Sequence, residues 1–147
     1  MKLQRFAILF AFMGTFITPC FAHHMAVVIN KENKTDDIMA LELAKMLRSE
    51  EKNWPDGTAI VLVLNKNSAG EAETLQHLLN LSPSALKALI AAHKDTIQMA
   101  GSDAEVLKLV QSTLGALGLV DVRSVNGTIN IVHVDGKLPM EAGYLPH

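Results

Sequence analysis

The chain has 147 residues, enough for a single domain, and its 13 basic and 15 acidic side chains leave a net charge of −2. This balance, without any basic run, argues against a nucleic-acid-binding protein. The amino terminus is typical of a secretory signal, because Lys2 and Arg5 precede an apolar stretch that ends in small residues. That stretch is too short for a comfortable membrane anchor. We therefore predict a cleaved signal over residues 1–22, a mature domain over residues 23–147 in the periplasm or outside the cell, and no membrane span after cleavage.

The composition of the mature domain excludes several functions. All five Phe and the single Cys lie in the signal, so the mature aromatics are Trp54 and Tyr144 and no thiol remains. A disulfide scaffold, thiol catalysis and a Cys-ligated zinc site are thereby excluded. No hydrolase motif such as GxSxG or HExxH occurs, so we predict a protein that is not an enzyme and needs no cofactor. After cleavage, His23 and His24 would lie at a free amine, where they form either a Cu(II) or Ni(II) site or an unliganded end.

The first half of the mature chain predicts two strands around a helix. Residues 26–30 are apolar and rich in β-branched side chains, which indicates a buried strand. Thr35 can cap a helix, two aspartates fall in its first turn, and an apolar stripe continues to about Ser49. A W-P-D-G turn at residues 54–57 leads into residues 58–64, whose unbroken apolar character predicts a strand covered on both faces.

The second half predicts three more helices and a hairpin. A helix is expected over residues 71–79, and two others begin at the capping residues Ser82 and Ser102, with a short strand over residues 96–99 between them. Asn-Gly then separates two strand-like runs, which is a strong hairpin signal. These runs cover residues 117–122 and 128–134. The alternation predicts an α/β fold, with a mixed, mostly parallel sheet flanked by helices and a C-terminal β-hairpin.

The loop between the strand of residues 58–64 and the next helix is the best candidate for a binding site. Free main-chain N–H groups and the helix dipole both attract anions at such a helix start. The residues of this predicted anion site are Asn67, Ser68, Ala69, Gly70 and, at a second helix start, Ser102. The alternative is an ordinary connection in which both serines only cap their helices. Glu71 and Glu73 favour the helix but would repel a bound anion.

Several local motifs occur in an order that resembles a known family. They are the strand end at residues 28–33, N-W-P-D-G at 53–57, the Ser/Gly loop before a helix, L-S-P at 81–83, Ser102 followed by E-V-L, and L-G-A-L-G-L-V at 114–120. This series resembles the phosphate ABC transporter substrate-binding proteins of the type II periplasmic binding protein superfamily. It resembles most their small relatives, which keep little more than one lobe. The resemblance runs from about residue 27 to residue 134.

The resemblance implies a single-lobe fold and a binding function. In full-length members two lobes close on a dehydrated phosphate, which main-chain N–H groups, hydroxyls, an Arg and an Asp hold. The family's Ser-Gly-Thr falls on residues 68–70, where only Ser68 matches in type, and its Arg falls near Leu64. A charge-assisted hydrogen bond contributes about 1.5–3 kcal/mol, so the missing Arg implies weaker phosphate binding.

Two functional hypotheses follow. In the first, the chain is a periplasmic solute-binding protein, or one lobe of one, that recognises phosphate or a similar oxyanion within an ABC-type uptake system. Its partner would then be a transporter permease. In the second, the lobe has lost phosphate binding and serves as a non-catalytic interaction module that docks an envelope protein.

Overall fold

A computed structural model describes residues 24–146, so the predicted signal and His23 lie outside the described residues. The sheet residues form β1 (Met25–Ile29), β3 (Val61–Asn65), β4 (Ile97–Ala100), β5 (Ala116–Asp121) and β6 (Asn130–Ile131), while β2 (Asp37–Ile38) and β7 (His133–Val134) form a separate pair. The helices are α1 (Ala40–Leu47), α2 (Ala69–Leu79), α3 (Pro83–Ala92) and α4 (Asp103–Ser112).

The five-stranded sheet has the order β4-β3-β5-β1-β6. Strand β3 is parallel to both of its neighbours, whereas β1 is antiparallel to β5 and β6. Four of the five strands therefore point in one direction, and the prediction of a mixed, mostly parallel sheet is confirmed. The carboxyl ends of β3, β4 and β5 meet at one edge, where α2 and α4 begin.

Helices cover both faces of the sheet. Along β3, Leu62 and Leu64 belong to the core packed by α1, α2 and α3, whereas Val63 belongs to the core packed by α4. Side chains of a strand alternate between the two faces, so an unbroken apolar run is what a strand covered on both sides requires. Gly118 of β5 permits this packing, because a Cβ there would lie 2.9 Å from Val106 of α4.

The predicted helix start at Thr35 is wrong. The helix begins at Ala40, and its N-cap Met39 makes no side-chain capping bond. The two residues before Met39 form β2, which pairs in parallel with β7, and the carboxylate of Asp135 accepts the Ala40 N–H at 3.0 Å. A long-range strand pairing thus replaces the local capping signal, which is the usual way tertiary contacts override helix propensity.

The predicted C-terminal β-hairpin is also wrong. Strands β5 and β6 are not neighbours, because β1 lies between them and pairs with both. After β5 the chain makes a short 3-10 turn over Val122–Ser124 and then crosses to the far side of β1. The Asn-Gly turn exists, since the side chain of Asn126 accepts the Thr128 N–H at 3.0 Å, but it belongs to this crossing. An apolar β1 gains two partners in this way and is buried on both faces.

Two of the motifs that carry the family resemblance, the W-P-D-G turn and the L-G-A-L-G-L-V run, meet at one junction in the core. The indole N–H of Trp54, in the W-P-D-G turn, donates to the Gly115 carbonyl at 2.9 Å, and the Val61 N–H donates to the same carbonyl at 3.1 Å. Gly115 has a positive φ of 75°. The junction thus fixes where β3 and β5 begin, because these strands pair from Val61 and Ala116 onward.

The phenol of Tyr144 completes the hydrogen bonding of β1. It accepts the Val27 N–H at 3.1 Å and donates to the Val132 carbonyl at 2.6 Å, and burial raises the pKa of Tyr144 to about 12. We expect Tyr144→Phe to lower the free energy of unfolding by about 2 kcal/mol, because two buried backbone groups lose their partner. Urea denaturation measures this difference. A loss below about 0.5 kcal/mol, the range of an ordinary surface substitution, would contradict it.

Candidate anion-binding site

The predicted site lies at the carboxyl edge of the sheet. Asn65, the last residue of β3, is paired with Ala100, the last residue of β4. The Lys66 N–H still donates to the Ala100 carbonyl at 3.0 Å, and the two strands then separate into the loops that start α2 and α4. The structure therefore brings both predicted helix starts to the same edge.

Ser68 is the N-cap of α2. Its Oγ accepts the Glu71 N–H at 3.1 Å, so its hydroxyl proton remains available to donate elsewhere. The N–H groups of Ala69 and Gly70 have no hydrogen-bond acceptor among residues 24–146, as expected for the first turn of a helix. Ala69 is exposed and Gly70 is buried. Three donors therefore remain at this helix start.

Asn67 has a bridging role between the two loops. Its N–H donates to the side-chain oxygen of Asn65 at 2.9 Å, and its side-chain amide donates to the Gly101 carbonyl at 2.9 Å. Its backbone N–H and one N–H of its side-chain amide are thus used within the chain, so Asn67 holds the α2 loop against the α4 loop. We leave Asn67 out of the proposed contact because its amide group is held against the Gly101 carbonyl.

Ser102 is the N-cap of α4, as predicted. Its Oγ accepts the Glu105 N–H at 3.2 Å, and the Glu105 carboxylate accepts the Gly101 N–H at 2.7 Å. The neighbouring Asp103 carboxylate accepts hydrogen bonds from the Asn65 side chain, the Asp121 N–H and the Ser124 hydroxyl. Two carboxylates of the chain itself thus supply the negative charge that this helix start favours.

The sequence did not predict that Glu71 is buried and has a raised pKa. Its side chain is only 2% exposed, and both carboxylate oxygens accept the Asn65 N–H, at 3.0 and 3.2 Å. Burial raises the pKa of Glu71 to about 9, the charge of Asp103 adds to this effect, and the hydrogen bond from Asn65 opposes it. Glu71 is consequently neutral at pH 7 and does not exert the repulsion expected from its sequence position. The S-x-x-E spacing from Ser68 was a signal for a capping arrangement, but nothing local indicated its burial.

A cavity of about 350 Å³ opens beside Ser68, between α2, α3 and the sheet. Most of its lining is apolar. The apolar lining residues are Leu64, Ala72, Leu75, Pro83, Leu86, Ile90 and Met99. The polar ones are Asn65, Lys66, Ser68, Glu71, Gln76 and Lys87. Both lysines are exposed, and neither has a carboxylate partner within residues 24–146, so the hydroxyl of Ser68 borders a cavity lined by two unpaired lysines.

Solved structures of other proteins share this fold. No protein-family profile matches the chain, and no significant match was found among curated proteins. Solved structures do match. A protein described as a phosphate ABC transporter substrate-binding protein, from Clostridium perfringens and with bound phosphate, has a TM-score of 0.64 at 20% identity over 77% of this chain. The chain has the fold of the phosphate substrate-binding proteins. The resemblance seen in the sequence is thus confirmed for the fold.

Two further phosphate-binding proteins agree. An ABC-type phosphate transport receptor from Vibrio cholerae has a TM-score of 0.65 at 18% identity, and a phosphate-binding protein from Stenotrophomonas maltophilia has 0.69 at 15% identity. They match 79% and 82% of this chain. The chain spans less than half of each relative, namely 45% of the Clostridium protein, 48% of the Vibrio protein and 41% of the Stenotrophomonas protein.

Three structural findings bear on the remaining sequence predictions. Leu64, near which the sequence resemblance places the family's Arg, is a core residue that also lines the cavity. Among residues 24–146, no three His, Cys, Asp or Glu side chains gather into a group that could hold a metal ion. None of the helices in that part of the chain has the length and apolar character needed to cross a membrane.

Proposed function

We propose that this chain is a non-catalytic, exported solute-binding protein that recognises phosphate or a related oxyanion as part of an ABC-type uptake system. The contact would be the hydroxyl of Ser68 and the N–H groups of Ala69 and Gly70, with Lys66, two residues before Ser68, supplying a positive charge. Its location would be the periplasm or the exterior of the cell, after cleavage of the predicted signal.

One observation supports this proposal above the others. The start of α2 combines unused donors with a neutral Glu71 and an unpaired Lys66, whereas the start of α4 carries the carboxylates of Asp103 and Glu105. An anion is therefore favoured at the first helix start and disfavoured at the second. For this reason Ser102, which the sequence suggested, is left out of the proposed contact. The shared fold with phosphate-binding proteins agrees with a binding role.

Calorimetric titration with phosphate, sulfate and vanadate tests the proposal. We expect weak but measurable phosphate binding, because Leu64 stands near the place of the family's Arg and offers no charge. Replacing Lys66 with glutamine should reduce phosphate affinity by at least about tenfold. Lys108→Gln, an exposed lysine on α4, is the matched control and should have no effect. Absence of heat and of any thermal shift at millimolar anion would refute the proposal.

A second candidate is an envelope interaction module that no longer binds phosphate. It is favoured by the three carboxyl groups, of Glu71, Asp103 and Glu105, that already accept main-chain N–H groups at this edge. In that case the titration gives no heat, and light scattering or a pull-down from envelope extract shows a self-associated or partner-bound protein. A strict monomer with micromolar anion affinity excludes this second candidate.

A further inference from the structure

The cavity between α2 and α3 has a large apolar lining that an inorganic anion would not contact. Its lining includes the apolar side chains of Leu75, Leu86, Ile90 and Met99 and, from the start of α2, the N-cap residue Ser68. Inorganic phosphate held at Ser68 would leave the apolar walls in water. A volume of about 350 Å³ falls in the usual range for small-molecule sites, which are mostly apolar with a few polar groups that fix orientation.

The charges around the cavity limit the class of ligand. Lys66, two residues before Ser68, and Lys87, on α3, both line the cavity and lack a carboxylate partner in the described part of the chain. The one carboxyl group in the lining, that of Glu71, is buried and hydrogen-bonded to the Asn65 N–H. The available charge at the cavity is therefore positive, and a ligand with a negative head group complements it.

We propose that the cavity binds an amphiphilic organic anion, with an acidic head group at Ser68, Lys66 and Lys87 and an aliphatic tail along Leu75, Leu86, Ile90 and Met99. This inference rests on the proposed anion site for its head group and adds the apolar part of the ligand. The tail would cover the side chain of Met99, which is 41% exposed on the edge strand β4.

A series of alkyl phosphates below their micelle concentrations tests the tail. Each methylene buried contributes about 0.8 kcal/mol, so affinity should rise about fourfold per methylene from inorganic phosphate through butyl, hexyl and octyl phosphate until the groove is filled. Octanol and octylammonium, which have the same tail without a negative head group, should bind at least about tenfold more weakly than octyl phosphate.

Two variants test the location. Met99→Glu places a carboxylate on the apolar wall and should reduce octyl phosphate affinity by at least about tenfold. Leu41→Glu makes the same change at a side chain that is 65% exposed on α1 and outside the cavity, and it should leave the affinity unchanged. Thermal unfolding of both variants confirms that each is folded before titration.

The outcomes separate this inference from the proposed function. If inorganic phosphate binds and longer tails add nothing, the amphiphile site is refuted while the oxyanion site stands. If octanol binds as tightly as octyl phosphate, the anionic head group has no role in the cavity and the inference is refuted, while the titration with inorganic phosphate alone decides the oxyanion site. Tail-dependent and head-group-dependent binding that Met99→Glu weakens and Leu41→Glu does not weaken supports both.

Discussion

Replacing Gly115 with alanine should destabilise this protein by about 4 kcal/mol or more, a loss that takes much of the stability of an ordinary domain. A Cβ at this position would lie far inside van der Waals contact with the backbone oxygen of Ala59, and it would also meet Thr58 at 3.0 Å. The positive φ of 75° adds the strain of a left-handed conformation. The clash is with the backbone of Ala59, two residues before β3, so no side-chain rotation can relieve it.

Gly57 provides the matched control for this experiment. Its φ is 89°, and a Cβ there would meet nothing within 4 Å. Gly57→Ala should therefore cost only the left-handed strain, about 1–2 kcal/mol. Urea denaturation of both variants measures the difference, which isolates the contact between Gly115 and the backbone of Ala59. Equal losses in the two variants would show that the junction does not depend on close approach.

Replacing Glu71 with glutamine should stabilise the folded protein at neutral pH and make its stability less dependent on pH. The pKa of Glu71 is about 9 in the folded protein against about 4.5 unfolded. Above pH 4.5 the unfolded chain releases this proton while the folded chain keeps it, so stability falls as pH rises from 4.5 towards 9. At pH 7, about two and a half units above the pKa of about 4.5 in the unfolded chain, the buried carboxyl group lowers the free energy of unfolding by up to about 3 kcal/mol. Glutamine cannot ionise and still offers an oxygen to the Asn65 N–H.

Thermal unfolding between pH 5 and pH 9 measures the effect of Glu71→Gln. The parent protein should lose stability steadily across this interval, and the variant should show a much flatter profile with the largest gain at alkaline pH. Glu73→Gln, an exposed carboxylate on the same helix, is the control and should leave the slope unchanged. Parallel profiles for the parent and Glu71→Gln would mean that the carboxyl group is ionised in the folded state.

The sequence correctly predicted the parts of the fold that depend on burial of a strand on both faces or on hydrogen bonds within a few residues. Val63 and its neighbours predicted a strand between two helical layers because every residue had to be buried. Ser82 and Ser102 predicted helix starts, since a serine cap acts on an N–H three residues along the chain. Errors arose at Thr35 and at the Asn-Gly turn, where residues about 100 positions away decide the pairing.

The candidate site shows the same division. Ser68 was identifiable as a helix-start residue, and the structure adds Lys66, Lys87 and the apolar walls of the cavity. Lys87 and Met99 reach the cavity from α3 and β4, which no local pattern connects with the Ser68 loop. The neutrality of Glu71 depends on burial beneath these elements, and an isolated sequence position carries no information about desolvation.

The amino-acid sequence by itself determined the alternation of helices and strands, the two-faced burial of the sheet and the serine that opens α2, because these depend on periodicity and on hydrogen bonds within a few residues. Only the tertiary structure decided that β1 separates β5 from β6, that Gly115 meets the Trp54 turn, and that a buried Glu71 is neutral beside an apolar cavity. These features arise where distant segments exclude water together, and exclusion of water is a property of the packed chain.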